Sequence, residues 1–137
     1  MSISKEKIRI INTAGKRKTA IARAVLRSGK GVIRINSKLL DIYEPYFCRM
    51  KILEPVMLAG DTAKKVDIDI NVAGGGQMSQ AESSRLAIGK ALAEFQPSLK
   101  KVFLNYDRTL IVADIRHKEQ YKPNDSKARK ARQKSYR

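Results

Sequence analysis

The chain has 137 residues and a formal net charge of +16, from 29 Lys and Arg against 13 Asp and Glu. That length suits one domain with a substantial core, and the positive charge indicates nucleic acid as a partner before an anionic membrane or an acidic protein. The sequence has no apolar run near the roughly 18 residues of a membrane span, a single cysteine, and no Cys/His cluster for a metal, so we expect a reducing, cytoplasmic protein.

Two strands are predicted near the start of the chain, from Lys7 to Ala14 and from Thr19 to Arg27. In the second strand, alternate residues from Ala20 to Leu26 form a continuous apolar face. The segment from Ser28 to Gly31 is typical of a hairpin turn, because its glycines allow positive φ. Residues Val32 to Asn36 are therefore predicted to form the returning strand.

A run of three cations follows Gly15 and lies between the first two predicted strands: Lys16, Arg17 and Lys18. Adjacent cations at a glycine bend repel one another unless solvent or an anion screens them. The bend is therefore either a solvated loop or, as we favour, a corner that contacts the phosphates of a nucleic acid. A nucleotide-binding P-loop is excluded, because Arg17 stands where that motif requires Ser or Thr.

Two short helices are predicted next, each opening with a Glu-Pro pair, at Glu44-Pro45 and at Glu54-Pro55. Proline suits the first helical position, where no amide hydrogen is required, and the Glu carboxylate suits the positive end of a helix. Gly60 is expected to end the second helix.

The segment from Val66 to Val72 gives the clearest local signal, because apolar residues alternate with polar ones. It predicts a strand with one buried and one solvated face. Asp67 and Asp69 on the polar face would suit a metal or acid/base site, but neither a motif spacing nor a third ligand supports one. A solvated strand face is therefore favoured.

Three glycines separate this strand from a helix predicted from Gln77 to Phe95: Gly74, Gly75 and Gly76. Glycine lets the backbone approach another chain closely, with free amides at the helix start. The turn is open to three interpretations: a cradle for a mononucleotide phosphate, a contact with the RNA backbone, which we favour, or a tight turn only. Within the helix, Arg85 and Lys90 lie off the apolar stripe and are predicted to extend a basic face.

After the long helix, a change in composition divides the chain into two parts. Ser98 is predicted to cap a short helix that ends at Leu104, and Thr109 to Ile115 is predicted to be a further strand. The composition then changes at about Arg116. We therefore predict a globular α/β RNA-binding body, residues 1–115, and an extended basic C-terminal arm, residues 116–137.

The arm contains nine Lys or Arg, two acids and two tyrosines, and no Val, Ile, Leu, Met or Phe. Ordering each residue costs about 1–2 kcal/mol of backbone entropy, which no apolar burial within the arm offsets. We therefore predict an arm that becomes ordered on nucleic acid; the alternative is a solvated terminus that only aids solubility. The arm cations predicted to bind RNA are Arg116, Lys118, Lys122, Lys127, Arg129, Lys130 and Arg132.

Five segments, read together, are specific to one protein family: Gly15 to Ala24, Gly29 to Asn36, Asp69 to Ile88, Tyr106 to Arg116, and Ala131 to Arg137. Over nearly its whole length the chain resembles the universal small-subunit ribosomal protein number nine family, in its archaeal and eukaryotic form. The resemblance implies an α/β fold of the α+β two-layer sandwich type. Its expected features are a four-stranded sheet with helices on one face, a left-handed βαβ crossover and a long extended basic C-terminal tail.

The resemblance also implies a function without catalysis, cofactor or metal. A member of this family is expected to bind small-subunit rRNA in the head of the subunit, beside neighbouring ribosomal proteins. Its arm is expected to reach the peptidyl-tRNA site and to contact the backbone of the tRNA anticodon loop. The residues that match these roles are Lys16, Arg17 and Lys18 for rRNA, and Lys134, Ser135, Tyr136 and Arg137 for tRNA.

Two other functions stay open as alternatives. A general basic protein that binds or compacts DNA would share the charge, and a small nucleotide-dependent kinase would place a phosphate on the glycine turn. The kinase is disfavoured because His117 is the only histidine, Cys48 has no nearby base in the sequence, and no acid is marked out as a magnesium ligand.

Overall fold

Five strands and three helices form within residues 10–124, 128 and 136, which the computed structural model describes. The strands are β1 (Ile11–Arg17), β2 (Ala20–Ser28), β3 (Ile33–Ile35), β4 (Lys38–Leu39) and β5 (Val66–Ala73). The helices are α1 (Tyr46–Ala59), α2 (Gln77–Phe95) and α3 (Leu99–Tyr106), with 3-10 turns at Leu40–Ile42, Gly60–Lys65 and Arg108–Leu110. β5 and α2 lie where the alternation and the helical periodicity predict them.

The strands form one mixed sheet in the order β1-β2-β5-β3-β4. Neighbouring strands are antiparallel except β3 and β5, which are parallel and are connected through α1. Alternate residues of β2 are buried from Ala20 to Leu26, as the sequence predicts, and β5 buries its apolar residues in the same way. α2 packs across this buried face, and α1 and α3 pack against α2, while the opposite face of the sheet stays largely open.

Two glycines allow the backbone of α2 to lie in direct contact with the backbones of β1 and of the 3-10 turn Arg108–Leu110. A Cβ added to Gly15 in β1 would lie 2.1 Å from the carbonyl oxygen of Ser83 in the helix. A Cβ added to Gly89 in the helix would lie 2.3 Å from the carbonyl oxygen of Leu110. Because neither position has room for a methyl group, α2 holds both β1 and the last 3-10 turn directly, and so fixes where the chain toward the arm begins.

The predicted hairpin at Ser28 to Gly31 is wrong. β3 does not return beside β2; it pairs with β5, which lies between them in the sheet. The connecting loop is held by Asp67, whose Oδ1 accepts hydrogen bonds from the backbone N–H groups of Lys30 and Val32, both at 2.8 Å. These bonds, that of Val32 above all, hold the pKa of Asp67 below its usual range. A carboxylate distant in sequence therefore outweighs the local turn signal.

The prediction of two helices, opening at Glu44-Pro45 and Glu54-Pro55, is also wrong. Pro45 is the N-cap of α1, but α1 continues without interruption through Pro55 and ends at the C-cap Gly60. Pro55 is fully buried on the side of α1 that packs into the core. Burial of the apolar ring offsets the cost of the helical hydrogen bond that proline cannot donate. Tertiary packing therefore overrides the tendency of proline to begin a new helix.

The predicted strand from Thr109 to Ile115 does not form. The chain makes the 3-10 turn Arg108–Leu110 and then continues without pairing to the sheet. Asp107 caps the turn, since its side chain accepts a hydrogen bond from the N–H of Thr109 at 2.9 Å. Full burial of Leu110 against α2 anchors the turn and draws this segment away from the sheet.

The resemblance is correct about the α+β class and about helices on one face, but the sheet has five strands rather than four. The additional strand is the two-residue β4 at the edge. Ser98 occupies the N-cap position of α3 as predicted, although its side chain makes no capping hydrogen bond, and α3 ends at Tyr106 rather than Leu104. The left-handed sense of the β3–α1–β5 crossover stays a prediction. Among the described residues, no helix has the length and apolarity to cross a membrane.

Candidate nucleic-acid interface

The three cations of the predicted bend lie at the end of β1 and in the turn that follows it. Gly15, Lys16 and Arg17 are strand residues, so the predicted glycine bend is wrong; the turn begins at Lys18, which has a positive φ of 53°. Because side chains alternate along a strand, Lys16 is exposed on the open face of the sheet, whereas Arg17 is half-buried on the helix side. The run therefore presents cations in different directions.

The glycine turn between β5 and α2 packs against the turn between β1 and β2. A Cβ on Gly74, which has φ of 78°, would lie 2.5 Å from the carbonyl oxygen of Thr19. A Cβ on Gly75, which has φ of 65°, would lie 3.0 Å from the Cβ of Ala20. Glycine is required at these two positions because the backbone is left-handed there and lies close to the neighbouring turn. Gly76 is different, since a Cβ there would meet nothing within 4 Å, and it leaves the start of α2 open.

Arg17 joins β1 to α2 and to the segment before the arm. Its Nε lies 2.7 Å from Oε2 of Glu82, and its Nη1 lies 3.4 Å from Oδ2 of Asp114 and donates a hydrogen bond to the carbonyl of Arg116 at 3.2 Å. Only 16% of its side chain is exposed. Its guanidinium is therefore engaged within the protein and fixes the base of the arm.

Glu82 is the shared partner on α2. Its Oε1 accepts a hydrogen bond from Lys51 Nζ at 3.0 Å while its Oε2 pairs with Arg17. Burial alone would raise the pKa of Glu82, but the hydrogen bonds from Lys51 and Arg17 outweigh it and lower the pKa. The carboxylate therefore stays charged and connects α1, α2 and β1.

Asp114 and Arg116 form a second anchor at the base of the arm. Asp114 Oδ2 lies 2.7 Å from Arg116 Nη2, and its Oδ1 accepts hydrogen bonds from the backbone N–H and the Nε of Arg116, at 2.9 and 3.1 Å. These bonds, the side-chain bond first, hold the pKa of Asp114 well below its usual range and raise that of Arg116. The Arg116 side chain is still 82% exposed, so a face of it stays available to an external anion.

A groove lies between the basic corner and the start of the arm. Its walls are Lys16 to Thr19 on one side and Ala113 to Lys118 on the other. Lys118 Nζ lies 4.6 Å from the centre of the Tyr121 ring, a cation–π contact, and Lys122 is exposed. The structure thus brings the predicted cations of the corner together with the first cations of the arm.

Arg85 does not extend a basic face, contrary to the prediction. It is buried, pairs with Glu54, lies 2.9 Å from Asp107 Oδ2 and donates a hydrogen bond to Thr109 Oγ1 at 2.8 Å. Lys90 is half-buried, with its Nζ donating to the carbonyl of Ala14 at 3.1 Å. Helical periodicity missed the role of Arg85, because its acidic partners are far away in the sequence and only the fold brings them together.

Most of the predicted arm contacts lie outside the described residues: Lys127, Arg129, Lys130, Arg132, Lys134, Ser135 and Arg137. Tyr136 is described and is 91% exposed. Within the described part of the chain, no group of His, Cys, Asp and Glu could hold a metal ion.

Comparison with known proteins places this basic corner and arm in a family. The family model described as Ribosomal protein S9/S16 matches residues 15–137. A protein of Methanococcus maripaludis strain C7, named small ribosomal subunit protein uS9, is 50% identical over 134 residues, which cover 95% of this chain and all of that protein. The protein of the same name from Methanococcus vannielii is 49% identical over the same shares of both chains. The chain therefore belongs to the ribosomal protein S9/S16 family.

Proposed function

We propose that the chain is a structural component of the small ribosomal subunit in the cytoplasm, where its body and arm bind small-subunit rRNA and its arm reaches the peptidyl-tRNA site. The observation that carries this proposal is similarity over whole chains to small-subunit proteins. Members of such a family are structural and non-enzymatic, as the sequence led us to expect. Other proteins of the subunit are further partners.

The rRNA contacts of the body are assigned to the corner where two turns meet. Lys16 and Lys18 are exposed there, and the open backbone at Gly76 begins a 19-residue helix whose amide groups favour phosphate. Arg17 supports this corner from within, because both of its carboxylate partners belong to the protein. Its predicted rRNA contact is therefore reassigned in this proposal to positioning the corner.

The arm continues the same surface through its cations. Arg116 and Lys118 line the groove beside the corner, and Lys122 follows them. Nine cations with two acids leave the arm strongly positive, so release of counterions from rRNA supplies most of its affinity. The finer assignment of tRNA contacts to Lys134, Ser135, Tyr136 and Arg137 is supported by their place at the end of this arm and by the exposure of Tyr136.

Sedimentation with ribosomal subunits tests the main proposal. The full-length protein is expected to sediment with small subunits, to leave them only at high salt, and to prefer folded small-subunit rRNA over duplex DNA at fixed salt. Equal affinity for the two nucleic acids would favour the general DNA-binding alternative. Stabilisation against heat by ATP would favour the kinase instead.

A truncation tests the tRNA assignment separately. Removal of residues 135–137 is expected to leave assembly into small subunits intact and to weaken retention of tRNA in the peptidyl site. Subunits with truncated protein that hold tRNA as tightly as intact subunits would remove the tRNA role and leave the rRNA role standing.

A further inference from the structure

On the open face of the sheet, three exposed cations make no ion pair with a described residue: Lys16 on β1, and Arg23 and Arg27 on β2. Among the described residues, no carboxylate lies within 4.0 Å of the charged nitrogens of these three side chains. All three are on the side of the sheet away from the helices, so they are not part of the ionic contacts that anchor the arm.

The acids on the same face are already occupied. Asp67 accepts backbone hydrogen bonds from Lys30 and Val32, and Asp69 lies 3.6 Å from Arg34 Nη1. Backbone hydrogen bonds leave Asp67 charged, and it lies opposite Arg27 in the register of β2 and β5. With Arg34 included, these strands still present four cations against two carboxylates on this face. The charge that this face presents to a partner is therefore positive.

Strand register gives the cations a defined arrangement. Arg23 is flanked by Ala14 on β1 and Asn71 on β5, which are short side chains that leave the guanidinium accessible. Arg27 is four residues along the same strand and side, about 13 Å away at the usual rise of a strand. Lys16 pairs in register with Ile21, the exposed residue next to Arg23 on this face. The three cations thus form a row that begins at the basic corner.

We infer that this open face is a second RNA-backbone surface, with Arg23 and Arg27 binding phosphates and Lys16 connecting it to the corner. The planar guanidinium matches phosphate with two parallel hydrogen bonds. An acidic protein fits less well, because the large apolar side chains on the described part of this face, Ile21, Val25 and Leu39, include no Tyr or Trp, which together with Arg carry most of the binding energy at protein interfaces. The inference rests on the proposed binding of rRNA and adds a separate surface to it.

The test compares two double variants of the full-length protein in binding to a small-subunit rRNA fragment across a range of salt concentrations. Arg23→Gln with Arg27→Gln is expected to reduce the slope of log K against log salt by about 1.4 to 1.8, since each phosphate contact contributes about 0.7 to 0.9. Lys100→Gln with Lys101→Gln removes the same charge from exposed positions on α3 and is the matched control, with a smaller expected change. Arg23→Lys with Arg27→Lys is expected to keep the slope.

An unchanged slope in the Arg23 and Arg27 variant, or an equal reduction in the control, overturns the inference. If the variant keeps its rRNA slope but small subunits lose a bound protein, the face belongs to an acidic protein partner and the inference is equally overturned. Failure of the unaltered protein to bind rRNA with a steep salt dependence would instead refute the proposed function. Thermal unfolding of each variant shows whether it is folded. If the double Gln variant is not, the single variants Arg23→Gln and Arg27→Gln are each expected to reduce the slope by about 0.7 to 0.9, and an unchanged slope in both overturns the inference.

Discussion

Replacement of Gly15 by alanine tests whether the close packing of β1 against α2 requires glycine at this position. The new Cβ would lie 2.1 Å from the carbonyl oxygen of Ser83 and 2.9 Å from the backbone nitrogen of Ala87, where ordinary contact is 3.4–4 Å. Relief requires a shift of about 1 Å between a strand and a packed helix, because both obstacles are backbone atoms. Overpacking of this kind costs about 1–3 kcal/mol. Part of it is offset, since alanine lowers the entropy of the unfolded chain by about 0.4–1 kcal/mol.

Chemical and thermal unfolding measure this cost. The free energy of unfolding is expected to fall by a net amount of about 1–2 kcal/mol. For a chain of this size, each kcal/mol lowers Tm by roughly 3–5 °C. Gly76→Ala is the matched control, because a Cβ there meets nothing within 4 Å and its φ is −102°. The control is expected to change stability by less than about 1 kcal/mol, since the entropic gain and the loss of a favoured N-cap residue oppose each other. Equal stability of the two variants would refute the claim that Gly15 is required for close packing.

Three further predictions concern the ion pairs and hydrogen bonds of Arg85, Asp107 and Asp114. Arg85→Met is expected to lower the free energy of unfolding by about 1–3 kcal/mol. This is less than the cost of breaking a fully buried ion pair, because the Glu54 and Asp107 side chains are 32% and 37% exposed. A loss below about 0.5 kcal/mol in urea unfolding would contradict a stabilising role for these pairs. The pKa of Asp107 is lowered, so its stabilisation is present above the unfolded value of about 3.9 and disappears as pH falls through the folded value. Asp107→Asn should therefore flatten the loss of stability below about pH 4, and an unchanged pH profile would contradict that reading. Asp114→Asn is expected to make the chain more sensitive to trypsin after Arg116 without lowering Tm, and equal cleavage rates would count against the anchor.

The local sequence pattern was sufficient to predict an element where the pattern of apolar residues within that element shows which face is buried. Val66 to Val72 alternates apolar and polar residues, and the structure extends that strand by one residue, to Ala73. The helix from Gln77 to Phe95 begins and ends where it was predicted, because three glycines precede it and Pro97 follows it. These elements required no knowledge of distant partners.

The wrong predictions depend on contacts between residues far apart in sequence. Asp67 holds the loop at Lys30 and Val32, so β3 pairs with β5 rather than forming a hairpin. Pro55 stays within α1 because its ring is buried in the core. Periodicity placed Arg85 on a basic face, since neither of its acidic partners is near it in the sequence. Rules that use only residues near one another in the sequence cannot predict these contacts.

The candidate interface was predicted in its residue types but not in its geometry. The sequence indicated that Lys16, Arg17 and Lys18 approach phosphate. It did not indicate that Arg17 is enclosed by Glu82 and Asp114 while its neighbours stay exposed. Alternation along β1, once the strand was known to reach Arg17, would have separated the two roles.

The salt dependence of binding to small-subunit rRNA tests the central claim, that the arm gains its affinity from phosphates. In the full-length protein, six arm cations that are assigned to rRNA are replaced by Gln: Lys118, Lys122, Lys127, Arg129, Lys130 and Arg132. If all six contact phosphates, the slope of log K against log salt should become shallower by about 4 to 5. A slope that equals that of the unaltered protein would contradict the account.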